Sequence, residues 1–333
     1  MRVSDNKKFI HDLVEEVEGA SLGVDEVVTD FLDSGNYALN YVMSGDLRKG
    51  YPIGRVVEIF GDPSTGKSLC IYTAIAEFQR RGGVVILDDT EYAFSESFGK
   101  MLGINCEELI ILHSNTVEEH FETIFLGYTV DKKKKEPLVS KLLERFGKGK
   151  IMVCLDSVAQ LSTRHEQEVK LDRPDMAKAK QLRAGIRLIV KPISEHNILY
   201  LLSNHTIAAI GDMWNPKTTP GGKAIPFQSS LRLELEMGKK KLDDNDQPIG
   251  VITRVRCQKN KISIPFRHTV VEIDFRRGLN RYSGLLDTLV NMGVVELKGS
   301  WYSFGEEKFQ KGDFDLLADK ILSSIYAEPK VDK

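Results

Sequence analysis

The chain is short of cysteine and of long apolar runs, and it carries no surplus of either charge. Its four cysteines, Cys70, Cys106, Cys154 and Cys257, lie far apart in 333 residues. That spacing gives neither a disulfide framework nor a zinc site and suits reduced thiols. No apolar run reaches the roughly 20 residues of a membrane span, and the charged amino terminus lacks a signal-peptide core. The expectation is a soluble, intracellular protein with no membrane partner. Lysine and arginine total 46 against 48 aspartate and glutamate, a net charge of −2. Any grip on a polyanion must therefore come from local clusters. No internal repeat is visible.

What is present is an alternation of short β-rich runs with helical stretches. Residues 1 to about 35 are charge-rich, with Phe9, Ile10, Leu13, Val14 and Val17 at helical spacing. Gly19 and Gly23 interrupt that pattern, which marks a small amino-terminal appendage. The runs 55–60, 84–88, 109–113, 151–156 and 198–204 read as buried strands. Helical patterns between them predict a mostly parallel sheet with helices on both faces. The runs 231–237, 251–257 and 269–275 follow closely on one another and predict antiparallel additions. Beyond Gly278 a helix, a hairpin around Lys298-Gly299 and an amphipathic helix from Phe314 to Ile325 predict a small α+β module. The expected divisions are 1–35, 36–277 and 278–333. Three stretches, 129–150, 162–175 and 206–222, are long for loops, and long loops in compact domains are usually functional or disordered.

The most specific signal is Gly61-Asp62-Pro63-Ser64-Thr65-Gly66-Lys67-Ser68, followed by Leu69. It is a Gly-x-x-x-x-Gly-Lys-Ser loop directly after a strand and before a helix. Glycines let such a loop wrap an anion with its backbone N–H groups, and the helix dipole adds to the same spot. Lys67 would reach the β- and γ-phosphates of a nucleoside triphosphate and Ser68 would ligate Mg²⁺. Asp156 ends the run "IMVCLD" at the sheet edge where such folds place ligands, a second Mg²⁺ ligand. Asp88, Asp89 and Glu91 follow "VVIL" at the same edge, and on chemistry alone each could orient the attacking water.

At this point the chain resembles the RecA recombinase family. The resemblance rests on "GRVVEIFGDPSTGKS", "DDTEYAF", "IMVCLDSVAQL", "NPKTTPGGKAIPFQSSLRLE", "QKNKISIPF" and "YSGLLDTLVNMGVVELKGSWYSF", in family order. "DMAKAKQLR" and "SNHTI" lean towards the UvsX-type recombinases of tailed bacteriophages. The resemblance implies a RecA-type ATPase core, with ATP and Mg²⁺ as cofactors. It selects Glu91 as the water-activating carboxylate, places Phe98 on the adenine and makes His205 the γ-phosphate sensor. It also implies that Lys259 and Lys261 reach the phosphates of a neighbouring subunit's ATP, with Phe227 and the amino-terminal appendage at the same contact. Two departures stand out: Ser95 where RecA has an aspartate, and a lysine-rich insertion at Lys132–Lys135 with no counterpart.

Residues 161–191 hold eight basic side chains (Arg164, Lys170, Arg173, Lys178, Lys180, Arg183, Arg187, Lys191) against four acidic ones (Glu166, Glu168, Asp172, Asp175). The resemblance makes this segment, with Met176, the first DNA-binding loop. The second would be 206–222, with Ile210, Trp214, Lys217, Thr218, Thr219, Gly221 and Gly222. Backbone N–H groups there could hold phosphates while apolar side chains wedge between bases. The implied function is an ATP-dependent homologous recombinase that forms a helical filament on single-stranded DNA and pairs it with duplex. Further implied partners are a single-strand-binding protein and a loading mediator, in the cytoplasm of a bacterial or phage-infected cell. A RecA-fold ring helicase and a filament modulator without strand exchange remain as rival readings.

Overall fold

The structure, a computed structural model, describes residues 3–17, 22, 28–130, 133–168, 177–208 and 217–327. A nine-stranded sheet runs through it: β1 (Val56–Gly61), β2 (Val84–Asp89), β3 (Leu109–Leu112), β4 (Ile151–Asp156), β5 (Leu199–His205), β6 (Leu231–Leu242), β7 (Pro248–Asn260), β8 (His268–Asp274) and β9 (Gly278–Leu279). The spatial order is β9-β8-β7-β6-β1-β5-β4-β2-β3. Strands β1, β2, β4 and β5 read as nearly unbroken apolar runs because both of their faces are covered. Val57, Ile59, Leu87, Cys154 and Leu201 share a core with Ile71, Ile75 and Phe78 of the helix Lys67–Arg80. Their neighbours Val56, Ile86, Val153, Leu155, Tyr200 and Leu202 share another with Phe121, Leu182, Ile186 and Ile189 on the other side.

The helices used below are α1 (Val3–Glu16), α2 (Tyr37–Ser44), α3 (Lys67–Arg80), α4 (Ala177–Glu195), α5 (Ala224–Gln228), α6 (Leu285–Asn291) and α7 (Phe314–Ile325). The expectation that 231–237 adds antiparallel is corrected. β6 runs parallel to β1, with Leu231 opposite Val57 and Leu235 opposite Gly61. The connection from β5 carries α5 and crosses over rather than turning back, which is what a parallel neighbour requires. Antiparallel pairing begins only with β7 and β8.

The three long stretches hold more structure than loops. Within 129–150, Tyr128–Val130 pairs with Lys133–Lys135, and Leu138–Phe146 is a helix. Its Leu138, Val139, Leu142 and Leu143 pack on the second core. The lysine run beside them hides that helical period. Arg164–Glu168 is a short helix, and Ile207–Ala208 pairs with Lys217–Thr218.

A third core joins Leu285 and Leu289 of α6, Phe314 and Ile321 of α7, and Tyr302 and Phe309 from a three-stranded sheet. Leu47 belongs to this core, and Tyr37 and Tyr41 of α2 pack against it. Asn36 strengthens the tie: it caps α2 by accepting from Leu39 N at 2.7 Å and donates to Asn280 O at 2.6 Å. No described helix is long and apolar enough to cross a membrane.

Gly185 of α4 lies against Phe121, and a Cβ there would fall 2.2 Å from the ring. We expect Gly185→Val to lower the unfolding free energy by about 1–3 kcal/mol through overpacking. Urea denaturation at unchanged slope measures it, and a wild-type midpoint would contradict this packing.

Candidate functional site

The loop Gly61–Ser68 leaves the carboxyl end of β1 and enters α3 at Lys67. It can turn so tightly because of its glycines. A Cβ on Gly61 would meet Leu235 O at 2.2 Å, and Gly66, at φ 94°, would meet Ile273 Cδ1 at 2.2 Å. Thr65 steadies the loop by donating to Asp62 O at 2.9 Å while its own carbonyl accepts from Thr253 at 3.0 Å. Lys67 Nζ folds back onto Gly61 O at 3.1 Å and Asp62 O at 2.9 Å. Burial holds its ammonium below the ordinary lysine range, against the pull of Asp156, Glu91 and Asp62. Around this loop opens a cleft of ≈ 430 Å³, lined by Pro63, Ser64, Gly66, Lys67, Ser68, Leu69, Glu91, Asp156, His205, Val251 and Phe275.

Asp156 is almost wholly buried and accepts hydrogen bonds from Ser203 and Ser68. Burial raises its carboxyl above the ordinary range, with Glu91 and Asp89 adding to the effect. The Asp156–Ser157 peptide is cis. Glu91 Oε1 accepts from Ser157 Oγ at 2.6 Å and meets His205 Nε2 at 2.9 Å. Burial alone would raise the Glu91 carboxyl. The bonds from Ser157 and His205, with the Lys67 charge, outweigh it and leave the group below the ordinary range. A carboxylate kept ionised beside a phosphate loop can orient and deprotonate water. Ser68 and Asp156 together offer the hard oxygen donors that Mg²⁺ takes alongside phosphates and waters.

The competing carboxylates are engaged elsewhere. Asp88 is fully buried, with Oδ2 at 2.6 Å from His120 Nδ1, whose Nε2 meets Tyr200 OH at 2.8 Å. Asp89 accepts from the backbone of Ala93 at 3.2 Å and Phe94 at 2.9 Å. Of the three candidates, Glu91 lines the cleft.

Several expected residues lie outside that cleft. Phe98 packs on the first core, edge-on to Tyr72 at 6.0 Å between centroids. Ser95 is the N-cap of Glu96–Met101. Lys259 Nζ donates to Pro226 O and Phe227 O, both at 2.7 Å, and Lys261 Nζ reaches Phe227 O at 3.5 Å. The two amines thus converge on one carbonyl, and Phe227 beside them is two-thirds exposed. Burial pushes Lys259 down to about 8, helped by Lys261 and Arg232. Phe275 and Val251, which do line the cleft, carry no sequence signal beyond strand periodicity.

The described parts of the two expected DNA segments are neighbours. Gly221 and Gly222 rest on α4, where added Cβ atoms would lie 2.7 Å from Leu182 and 3.3 Å from Ala179. Lys180 and Arg183 are exposed on that helix. Arg164 instead forms a paired contact with Glu122, at 2.9 and 2.6 Å. Thr218 is exposed and Thr219 buried. Thr206 Oγ1 donates to Asp62 Oδ1, and Asn204 Nδ2 donates to Pro220 O at 3.2 Å. Arg173, Met176, Ile210 and Trp214 lie outside the described residues.

The sequence profile of the RecA N-terminal domain matches residues 15–280. Protein RecA of Thermus thermophilus is 33% identical over 285 residues, 85% of this chain and 78% of that protein. Protein RecA of Paracoccus denitrificans is 31% identical over 325 residues, 93% and 85% of the two chains. Protein RecA of Borrelia hermsii is 34% identical over 303 residues, 85% and 79%. The chain belongs to the RecA family. The RecA match spans the whole nine-stranded sheet and every residue of the cleft.

This geometry separates a wholly buried carboxylate, Asp88, from a half-buried one at the cleft, Glu91. Burial alone would raise Asp88, but hydrogen bonds from His120 and Ser114 hold it below the ordinary range. Its contribution is therefore full above roughly pH 4 and is lost as pH falls through the lowered value. Asp88→Ala should cost about 1–3 kcal/mol near neutrality by leaving the buried His120 ring and the Ser114 N–H without their acceptor. Glu91→Gln should stay within about 1 kcal/mol. Chemical denaturation at pH 7 compares them, and equal losses would contradict the assignment.

Proposed function

We propose that this RecA-family chain is an ATP-dependent homologous recombinase that forms an open helical filament on single-stranded DNA and exchanges strands with matching duplex. The observation that carries this reading is the convergence of Lys67, Ser68, Asp156, Glu91 and His205 on one cleft at the phosphate loop. His205 also ends β5, directly before the second expected DNA segment, 206–222. Bound at Ser68 and Asp156, Mg²⁺ would supply charge neutralisation at the phosphates. Lys67 exchanges its two loop carbonyls for the β- and γ-phosphate oxygens of ATP. Glu91 has Oε1 fixed by Ser157 and His205, which leaves Oε2 to take a proton from the attacking water. His205 senses the γ-phosphate and passes its presence to residues 206–222.

Lys259 and Lys261 act in trans. They line no part of their own chain's cleft and sit beside exposed Phe227, as a contact with another copy requires. On reaching a neighbour's phosphates they can raise turnover by roughly 10³–10⁵, as arginine fingers do. A head-to-tail contact of this kind, with α1 as a further element, generates a filament when it does not close. ATP then favours the filament and hydrolysis loosens it.

DNA is held by 161–191 and 206–222, with Lys180 and Arg183 at phosphates, Arg164 joining them by exchanging Glu122 for a phosphate, and residues such as Trp214 between bases. The contact of Gly221 and Gly222 with α4 supports a shared path for both segments. A single-strand-binding protein and a loading mediator complete the setting, in the cytoplasm. The lean towards the phage type rests on His205 and "DMAKAKQLR".

Phosphate release with and without single-stranded DNA, followed by strand exchange, tests the reading. Wild type should be stimulated by DNA, and Glu91→Gln should lose about 10²–10⁴-fold in turnover. Hydrolysis without any exchange between matching strands would overturn it. Assembly should weaken as pH rises past about 8, where the unassembled Lys259 loses its proton, and Lys259→Arg should flatten that decline. Light scattering across that range reads the effect.

A further inference from the structure

We infer that the ribbon of Tyr128–Val130 and Lys133–Lys135 is a second DNA contact of this chain, made to the two phosphate walls of a duplex groove. The inference rests on the DNA-binding reading above and adds a site that neither basic segment contains. Lys133, Lys134 and Lys135 are all exposed, and none of their side chains is paired with a described residue. Glu136, also exposed, is the acidic side chain that follows directly.

The ribbon is built to hold its place. Gly127 at its base has φ 77°, and a Cβ there would fall 2.7 Å from Lys135 O. The leg before it, Glu122–Leu126, buries Ile124 completely. The leg after it is the helix Leu138–Phe146, packed on the second core. Glu122 is also the partner of Arg164, so the ribbon is tethered beside the first basic segment.

Alternation decides what the ribbon fits. Tyr128 lies opposite Lys135, Thr129 opposite Lys134 and Val130 opposite Lys133. Successive side chains in a strand point to opposite faces. Lys133 and Lys135 therefore share one face with Val130 and Tyr128, and Lys134 shares the other with Thr129. A flat anionic surface such as a membrane engages only one face. A duplex groove has a phosphate strand on each side, and the major groove, about 12 Å wide, admits a two-stranded ribbon. Exposed Tyr128 adds a ring next to the Lys135 cation.

The experiment compares full-length wild type with the triple variant Lys133→Ala, Lys134→Ala, Lys135→Ala, titrating duplex and single-stranded DNA at about 50 and 200 mM salt. Three fewer neutralised phosphates lower the duplex salt slope by about 2.7, so wild type loses roughly 40-fold more affinity than the variant across that range. Single-strand affinity and DNA-independent ATP hydrolysis stay at wild-type values. A triple Lys→Arg variant restores the duplex slope, which separates charge from misfolding. Unchanged duplex slope in the Ala variant overturns the inference. So does aggregation with unchanged duplex affinity, the result if these lysines only guard an edge strand. Loss of binding to anionic phosphatidylserine vesicles, with duplex binding intact, also overturns it in favour of a membrane. If wild type binds neither form of DNA, the recombinase reading itself fails.

Discussion

The register that sets Gly61 of β1 opposite His205 of β5 and Leu235 of β6 is the constraint on which the site depends. It wedges the first residue of the phosphate loop between two parallel neighbours. Thr206 N donates to Gly61 O at 3.3 Å, extending the pairing one residue past the strand. Because both faces of β1, β4 and β5 are sealed, polar groups that reach the cleft from these strands do so at their ends. Glu91, Asp156 and His205 therefore collect at one edge, and Lys67 meets them there from the start of α3.

A buried carboxylate extends this arrangement beneath the surface. Glu58 of β1 is fully buried, paired with Arg232 and accepting from Asn204 at 3.2 Å. Asn204 also holds Pro220, and Arg232 lies opposite Lys259 in the β6–β7 register. Removing either partner of such a pair leaves an uncompensated charge, so the end of the second segment and the Lys259 strand share one rigid fixture. Charge on Arg232 in turn helps to depress Lys259.

How much of this the sequence carries depends on the distance over which each feature is decided. The phosphate loop is local, eight consecutive residues between a strand and a helix, and it reads directly. The parallel strands read well because burial on both faces leaves unbroken apolar runs. Asp88, Asp89 and Glu91 do not separate by residue type, and the contact that distinguishes Asp88 is remote: His120, itself bonded to Tyr200, claims it. Phe275 enters the cleft because β8 lies two strands from β6, a fact of topology rather than pattern. The parallel entry of β6 was hidden because its alternating "LRLELE" suits either pairing direction. Phe98 is placed by family position alone, and its T-shaped contact with Tyr72 joins residues 26 apart in the chain.

The docking of Lys259 and Lys261 on the carbonyl of Phe227 has a mechanical corollary. The same short helix carries both the oxygen that shelters the amines and the exposed ring beside them. Pro226 O, the second acceptor of Lys259, lies on that helix too, so a shift of the helix as a unit moves every acceptor of both amines. Lys259 and Lys261 are thus coupled through one element of five residues, and whatever moves it changes the setting of both cations at once.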